Sequence, residues 1–378
     1  MRNRLLATLK MGNDIQGKTS SHEEEGTSSD MKKETSREYL YQWSSWPALQ
    51  VRISIIASMM PLPLALNDFS PESSFEMHHL ACRKNGNHEK FIPVKEFSFD
   101  HLPCSCRNKN VLTCIRNMAV LTVKVKVNFV SLNRPDTCVT AGSSQAYPFS
   151  NLRGRNVLRT GSGWVHTVEN VTHTDCKCRA CVDTLEPSRN WWQITVVTAA
   201  HVVYDDQECR NATFDLFYDD EDSREESMVT LQGHRVDLVD VDTDRCHLVC
   251  VTHDRHVGRR LQLAIKTCQN ELHRLQSQLQ SLTPTVVVSH PHGLSKRITV
   301  GERVRTEKSG GSENRLVYTT ATCPGSSGGL VWPVGRKWNR HLCRVATHSE
   351  SCGLYSMSSV TLPFCTKRDC RKKQFSDP

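Results

Sequence analysis

No stretch of this chain is apolar for long enough to cross a membrane. The best candidate, Ile53 to Leu66, is broken by Pro61 and Pro63 and bounded by Arg52, whereas a spanning helix needs about 20 consecutive apolar residues. The first ten residues hold only a short apolar stretch before Lys10, too little for the core of a secretory leader. With both features lacking, the expected location is intracellular, with thiols kept reduced. A strong charge of one sign is lacking too. The net +8 is mild for 378 residues, and part of it sits in Lys367, Arg368, Arg371, Lys372 and Lys373. That run reads as a solvated basic tail, and no nucleic-acid partner is expected. Apolar residues are almost missing between 11 and 38, where Ser, Thr, Glu and Lys dominate. Such an extension cannot bury enough surface to order itself. Residues 39–112, with scattered Pro and Cys, show no periodicity and receive no fold.

From Met118 the texture changes. Ala119 to Val130 alternates apolar and polar residues, the period of a half-buried strand. Short β-type runs follow at Gly163–Val165, Ile194–Val197, Phe214–Phe217, His247–Val251, Thr285–Val288 and Arg297–Val300, with turn residues between them. Many short strands without alternating helices predict an all-β barrel or sandwich. One segment, about 258–283, differs. Ile265, Cys268, Leu272, Leu275, Leu279 and Leu282 recur at steps of three and four, one face of a helix. With fewer than three heptads it is expected to pack on its parent domain, a coiled-coil dimer seam being the alternative.

Three positions converge on one chemistry. Thr198-Ala-Ala-His201 follows the strand Ile194–Val197, and a general base belongs at the end of a rigid strand, where its ring stays within reach of a nucleophile. Asp244 opens the alternating strand Arg245–Val251, where a carboxylate can accept the His Nδ1–H and hold the working tautomer. Cys323-Pro-Gly-Ser-Ser-Gly-Gly329 lies between the β-type runs Leu316–Tyr318 and Leu330–Trp332. Small residues there allow a tight turn that exposes the Ser327 hydroxyl and aims the N–H groups of Gly325 and Ser327 at a developing oxyanion. Taken singly, each has a blander reading: a packed histidine, one acid among Asp237, Asp240, Asp242 and Asp244, a flexible Gly/Ser loop.

Together, and in this chain order, they resemble the chymotrypsin-like serine proteases, particularly the HtrA-type branch, which carries T-A-A-H, then an Asp before an apolar strand, then G-x-S-G-G. Gly161-Ser-Gly-Trp164 is similar to the G-S-G-F strand ahead of the His in those enzymes. Ser289-His-Pro-His-Gly-Leu294 with Thr299-Val300 and Gly301 looks like their N-P-x-G-L…T-V…G stretch. The matches cover about 120–360, and invertebrate proteins with a trypsin-like domain and a similar Cys-x-Cys-x-x-Cys insertion also look alike. The resemblance implies two antiparallel six-stranded β-barrels with the site between them, an inserted helix and a disordered N-terminal extension. The implied division is a tail at 1–38, an irregular region at 39–112, a first barrel at 113–255 with His201 and Asp244, a helical insert at 256–283, a second barrel at 284–362 with Ser327, and a basic tail at 363–378. The implied activity is endopeptidase cleavage of a protein or peptide substrate through an acyl-enzyme, with no cofactor required. The alternative is a catalytically inactive barrel pair used as a protein-binding module. Nothing in the sequence sets an oligomeric state.

Departures from the trypsin pattern add detail. Ser326 stands where trypsins place an Asp, so activation by a new N-terminus paired to that acid is unavailable. Cys323 and Cys352 fall where secreted relatives bridge the pocket walls, though reduced thiols are expected here. By the same resemblance Ala321, six residues before Ser327, forms the base of the specificity pocket, and His348 narrows it. An uncharged base predicts cleavage after apolar residues rather than Lys or Arg, whose charge would be buried unpaired. Outside this set, Cys176, Cys178 and Cys181 offer three thiols to a structural zinc, with His173, Cys209 or the Cys104/Cys106 pair as the fourth ligand. Reduced thiols in a plain loop, or a local disulfide, are the alternatives. Asp219-Asp-Glu-Asp222 lacks a calcium-loop spacing and reads as a solvated acidic loop, while His290 and His292 flank a Pro-Gly turn and read as structural.

Overall fold

Alternation in the sequence becomes two closed barrels. The computed structural model describes residues 79–140, 143–222, 227–275, 284–309, 313–335, 344–352 and 354–364; the expected tail at 1–38 lies outside them, as do Leu279 and Leu282 and the tail beyond 364. The first barrel is built from β1 (Thr122–Val127), β2 (Arg159–Thr172), β3 (Asn190–Thr198), β4 (Ala212–Leu216), β5 (Val229–Asp240) and β6 (Arg245–Thr252). Its closed antiparallel order is β1-β2-β3-β6-β5-β4, with β4 returning to β1. The second uses β7 (Pro284–Ser289), β8 (Arg297–Ser309), β9 (Glu313–Tyr318), β10 (Leu330–Pro333), β11 (Arg344–Cys352) and β12 (Tyr355–Val360). It closes in the same sense, β7-β8-β9-β12-β11-β10. The chain is thus the pair of six-stranded barrels that the chymotrypsin-like resemblance implies, with the same winding used twice.

Sequence and structure differ first at β1. The alternating run from Ala119 begins inside a helix, because α1 spans Lys109–Leu121 and only Thr122 starts the strand. Alternation in β1 does not mark one wet face either. Lys124 is buried, with its ammonium 5.2 Å from the centroid of the Tyr218 ring. The strand lies against β7 of the other barrel, so both its faces are covered.

Residues 79–112, which show no periodicity in sequence, are ordered around short turns and α1. Asn108 caps that helix by accepting from the Asn110 N–H at 2.8 Å, and Val111, Cys114, Ile115 and Met118 are buried along it. They pack on the helix after β6. Asp254 caps this longer helix, which spans Arg255–Arg274, by accepting from the His256 and Val257 N–H groups. With the five-residue α2 (Asp206–Arg210) between them in the chain, the longer helix is α3. Its expected apolar face is present in Ile265, Cys268, Leu272 and Leu275, joined by Leu261 and Ala264. The Cys268 thiol donates to the Cys114 carbonyl at 3.5 Å, which fixes the two helices side by side.

Candidate active site

The site grows from strand ends. β3 finishes at Thr198, and the chain turns through two fully buried alanines into His201. Asp244 sits in the tight turn between β5 and β6 with φ of 50°, a left-handed conformation uncommon outside glycine and asparagine. That turn aims the carboxylate back at the histidine. His201 Nδ1 lies 2.8 Å from one Asp244 oxygen and 3.0 Å from the other, and the His201 backbone N–H donates to the same carboxylate at 3.0 Å. With Nδ1 donating, the neutral ring carries no proton on Nε2, the tautomer a general base needs. Two of the competing acids are used elsewhere: Asp240 accepts from the Thr243 N–H at 3.1 Å and faces Arg245, and Asp237 pairs with Arg235.

A group without any local sequence signature completes the carboxylate's surroundings. Ser349, in β11 of the second barrel, donates its hydroxyl to Asp244. Burial alone would push the Asp244 carboxyl up; the facing His201 charge, the hydrogen bonds from His201 and Ser349, and the His201 N–H outweigh it and hold the group well below its usual range. Beneath the site, Arg134 clamps Glu208 through two bonds of 2.6 and 2.7 Å and donates to the His201 carbonyl at 3.0 Å. Arg159 adds a third contact to Glu208 at 3.1 Å. A buried ion pair of this geometry fixes the loop that carries the histidine.

The Ser327 turn docks against the first barrel through backbone. Gly325 and Gly328 adopt φ of 86° and 87°. A Cβ on Gly328 would stand 1.9 Å from the Ser162 carbonyl oxygen and 2.3 Å from Thr198 Oγ1, so only glycine permits the approach. The Ser162 N–H donates to the Ser327 carbonyl at 2.7 Å, and the Ser162 hydroxyl to that of Gly325 at 2.8 Å. Among the described residues, the N–H groups of Gly325 and Ser327 donate to no protein acceptor, and the Ser327 hydroxyl makes no hydrogen bond. Ser326 is fully buried; its hydroxyl accepts from Ser289 Oγ at 3.1 Å and from the Cys323 N–H at 3.3 Å.

The two positions expected to shape specificity, Ala321 and His348, differ in exposure. Ala321 is half-buried and its carbonyl accepts from the Thr299 hydroxyl at 3.0 Å. His348 is buried, with Nδ1 2.7 Å from the Tyr318 hydroxyl, and burial pulls its pKa down to about 3, so the ring is neutral. Its backbone brackets the Ser327 turn, accepting from the Gly328 N–H at 2.7 Å and donating to the Gly329 carbonyl at 2.8 Å.

Cys176, Cys178 and Cys181 converge beyond the far end of β2, but on a fourth group outside the expected set. That group is His253, immediately after β6, whose Nε2 lies 3.3, 3.7 and 3.6 Å from the three sulfurs. Cys209 and Cys106 are buried in the apolar core, and Cys104 and His173 lie outside the cluster. The acidic run is a joint as well. Asp219 pairs with the buried Lys296 at 2.7 Å, Asp220 with Lys95, and Glu221 accepts from the Ser295 N–H at 2.7 Å.

No family model and no curated protein matches this chain. Among solved structures it is similar to the HtrA-type protease AlgW with a tripeptide, at 12% identity and a TM-score of 0.35, covering 69% of this chain and 62% of that one. It is also similar to the Rv3671c protease from M. tuberculosis in its active form, again at 12% identity and a TM-score of 0.35, covering 68% of this chain and 82% of that one. The chain therefore spans about three-fifths of the AlgW chain. Among the described residues, no helix is long and apolar enough to cross a membrane.

Proposed function

We propose that this chain is a serine endopeptidase of the chymotrypsin-like, HtrA-type kind, with a protein or peptide as substrate. Ser327 attacks the scissile carbonyl, and His201 Nε2 takes the hydroxyl proton and returns it to the leaving amine. Asp244 holds the imidazole and stabilises its charged form, and the N–H groups of Gly325 and Ser327 receive the oxyanion. The observation that carries the reading is the His201–Asp244 pairing at 2.8 Å, set beside a nucleophile turn whose N–H groups have no described protein acceptor. Catalytic hydrogen bonds often shorten only when substrate is bound, so an unbonded Ser327 hydroxyl is compatible with this role.

Labelling of the purified protein by a fluorophosphonate tests it. Covalent labelling is expected in the parent chain and lost in Ser327→Ala. An unlabelled parent would falsify the reading in favour of a barrel pair that binds proteins without cutting them. For the labelled enzyme, Ala321 at the pocket base favours apolar residues before the scissile bond. Profiling on a peptide library should show negligible cleavage after Lys or Arg, and a dominant basic preference would overturn that assignment. The Cys176, Cys178, Cys181 and His253 cluster is proposed as a structural zinc site, with the ion closing the tip of the β2–β3 hairpin.

A further inference from the structure

A second set of metal-type donors lies on the other barrel, and the sequence holds no spacing that announces it. Cys82 and His88 belong to the segment before α1, His292 to the Pro-Gly turn after β7, and Cys323 to the start of the Ser327 turn. Their four donor atoms all lie within 4.8 Å of one another. The two sulfurs are 3.7 Å apart, the two Nε2 atoms 3.1 Å, and Cys323 Sγ is 3.5 Å from His88 Nε2. Tetrahedral zinc with ordinary bond lengths needs about 3.8 Å between sulfurs, about 3.3 Å between nitrogens and about 3.6 Å between unlike donors. A disulfide needs about 2.05 Å between the sulfurs, far from the 3.7 Å observed.

The surroundings match a built site. His88 and His292 reach the common point from left-handed backbone, with φ of 52° and 56°, a conformation that costs free energy in non-glycine residues and is held only where the surroundings fix it. Asn85 Nδ2 donates to Cys323 Sγ at 3.1 Å and to the Thr322 carbonyl at 2.9 Å, the kind of outer contact that orients a thiolate ligand. His79 stacks on the His88 ring with centroids 4.0 Å apart. Cys323 and His292 are buried, and Cys82 and His88 half-buried, so water is largely excluded while the outer segment stays within reach of an incoming ion.

We propose that Cys82, His88, His292 and Cys323 bind one structural zinc ion. The ion ties the segment before α1 to both backbone limbs that shape the Ser327 turn. The His292 N–H already donates to the Pro324 carbonyl at 2.6 Å, and a Cβ on Gly325 would lie 2.7 Å from the His290 carbonyl oxygen. Fixing His292 and Cys323 to one ion therefore fixes the turn from both sides. That bearing on the turn rests on the protease reading; the site itself does not.

Cobalt(II) titration of the metal-stripped, reduced full-length chain, read from its visible d–d absorption, tests the site. Cys82→Ser/His88→Ala should bind one equivalent fewer than the parent, and so, independently, should Cys176→Ser/Cys181→Ser. Because Cys82 and His88 lie outside both barrels, the single variant Cys82→Ser serves as a milder control and should weaken the second site at least about tenfold. Unchanged stoichiometry and affinity in both Cys82 variants would refute the proposal. So would a Cys82–Cys323 disulfide found by peptide mapping of protein purified without reductant. A labelling rate of Ser327 that falls when Cys82→Ser loses its ion supports the link to the turn, and an unchanged rate removes that link while leaving the metal count decisive for the site.

Discussion

Asp244 is the residue on which the proposed chemistry turns, and its environment makes a pH-dependent statement. Its folded-state carboxyl is depressed below the ordinary 3.8, against the upward push of burial, by His201 and Ser349. Ionised Asp244 therefore contributes stability that is fully present above that ordinary value and is lost as pH falls towards the lower folded value. The stability difference between the parent chain and Asp244→Asn should narrow as pH falls below about 4, as read by urea unfolding at successive pH values. A gap that widens on acidification would contradict the sign. Residues of this kind were legible because their chemistry lies in short blocks at strand ends, as in Thr198–His201 and Asp244–Val251. Ser349 and His253 were not. Each is delivered by strand register across a long separation, 105 residues from Asp244 and 72 from Cys181, and neither has a local pattern.

Among the elements, α3 shows where helix propensity and packing part company. Gly258 sits in its first turns, and a Cβ there would lie 2.2 Å from the Trp192 ring. Alanine is the better helix former by about 1 kcal/mol, yet Gly258→Ala is expected to lower the unfolding free energy, because the indole on β3 cannot retreat from a packed core without strain. A chemical-denaturation midpoint that rises would show the ring free to move. The strands divide along the same line. The β-branched runs at Ile194–Val197 and Thr285–Val288 lie within β3 and β7. β5, β11 and β12 gave no such signal. β12 reads Tyr-Ser-Met-Ser-Ser-Val, and its buried Ser358 and Ser359 satisfy their hydroxyls on neighbouring carbonyls. A polar strand can face a core once its hydrogen bonds are made internally, and hydropathy does not register that bargain.

For the whole molecule, the repeated winding of the two barrels was readable only through the family resemblance, since strand order leaves no trace in periodicity. The joint between the barrels was misread. Asp219 to Asp222 suggested a solvated loop, but Lys296, Ser295 and Lys95 neutralise or bind it. The proposed zinc of the first barrel should be separable from the active site. It closes a hairpin tip about ten residues, roughly 30 Å, along β2 from the Ser162 contact. His253→Ala is therefore expected to lower zinc content by one per chain while Ser327 still reacts with a fluorophosphonate. Loss of that reaction would tie the hairpin tip to the catalytic turn.

The two donor sets also differ in when they come into being. The three thiols of the hairpin tip emerge from the ribosome almost together, and their histidine follows some seventy residues later. Cys82 and Cys323 are separated by 241 residues, so Cys82 and His88 wait as half a site while the first barrel and the opening strands of the second are synthesised. The first ion can be captured on a nascent hairpin. The second can be held with its full ligand set only once the chain has been made past Cys323, so its loading comes late rather than at the beginning.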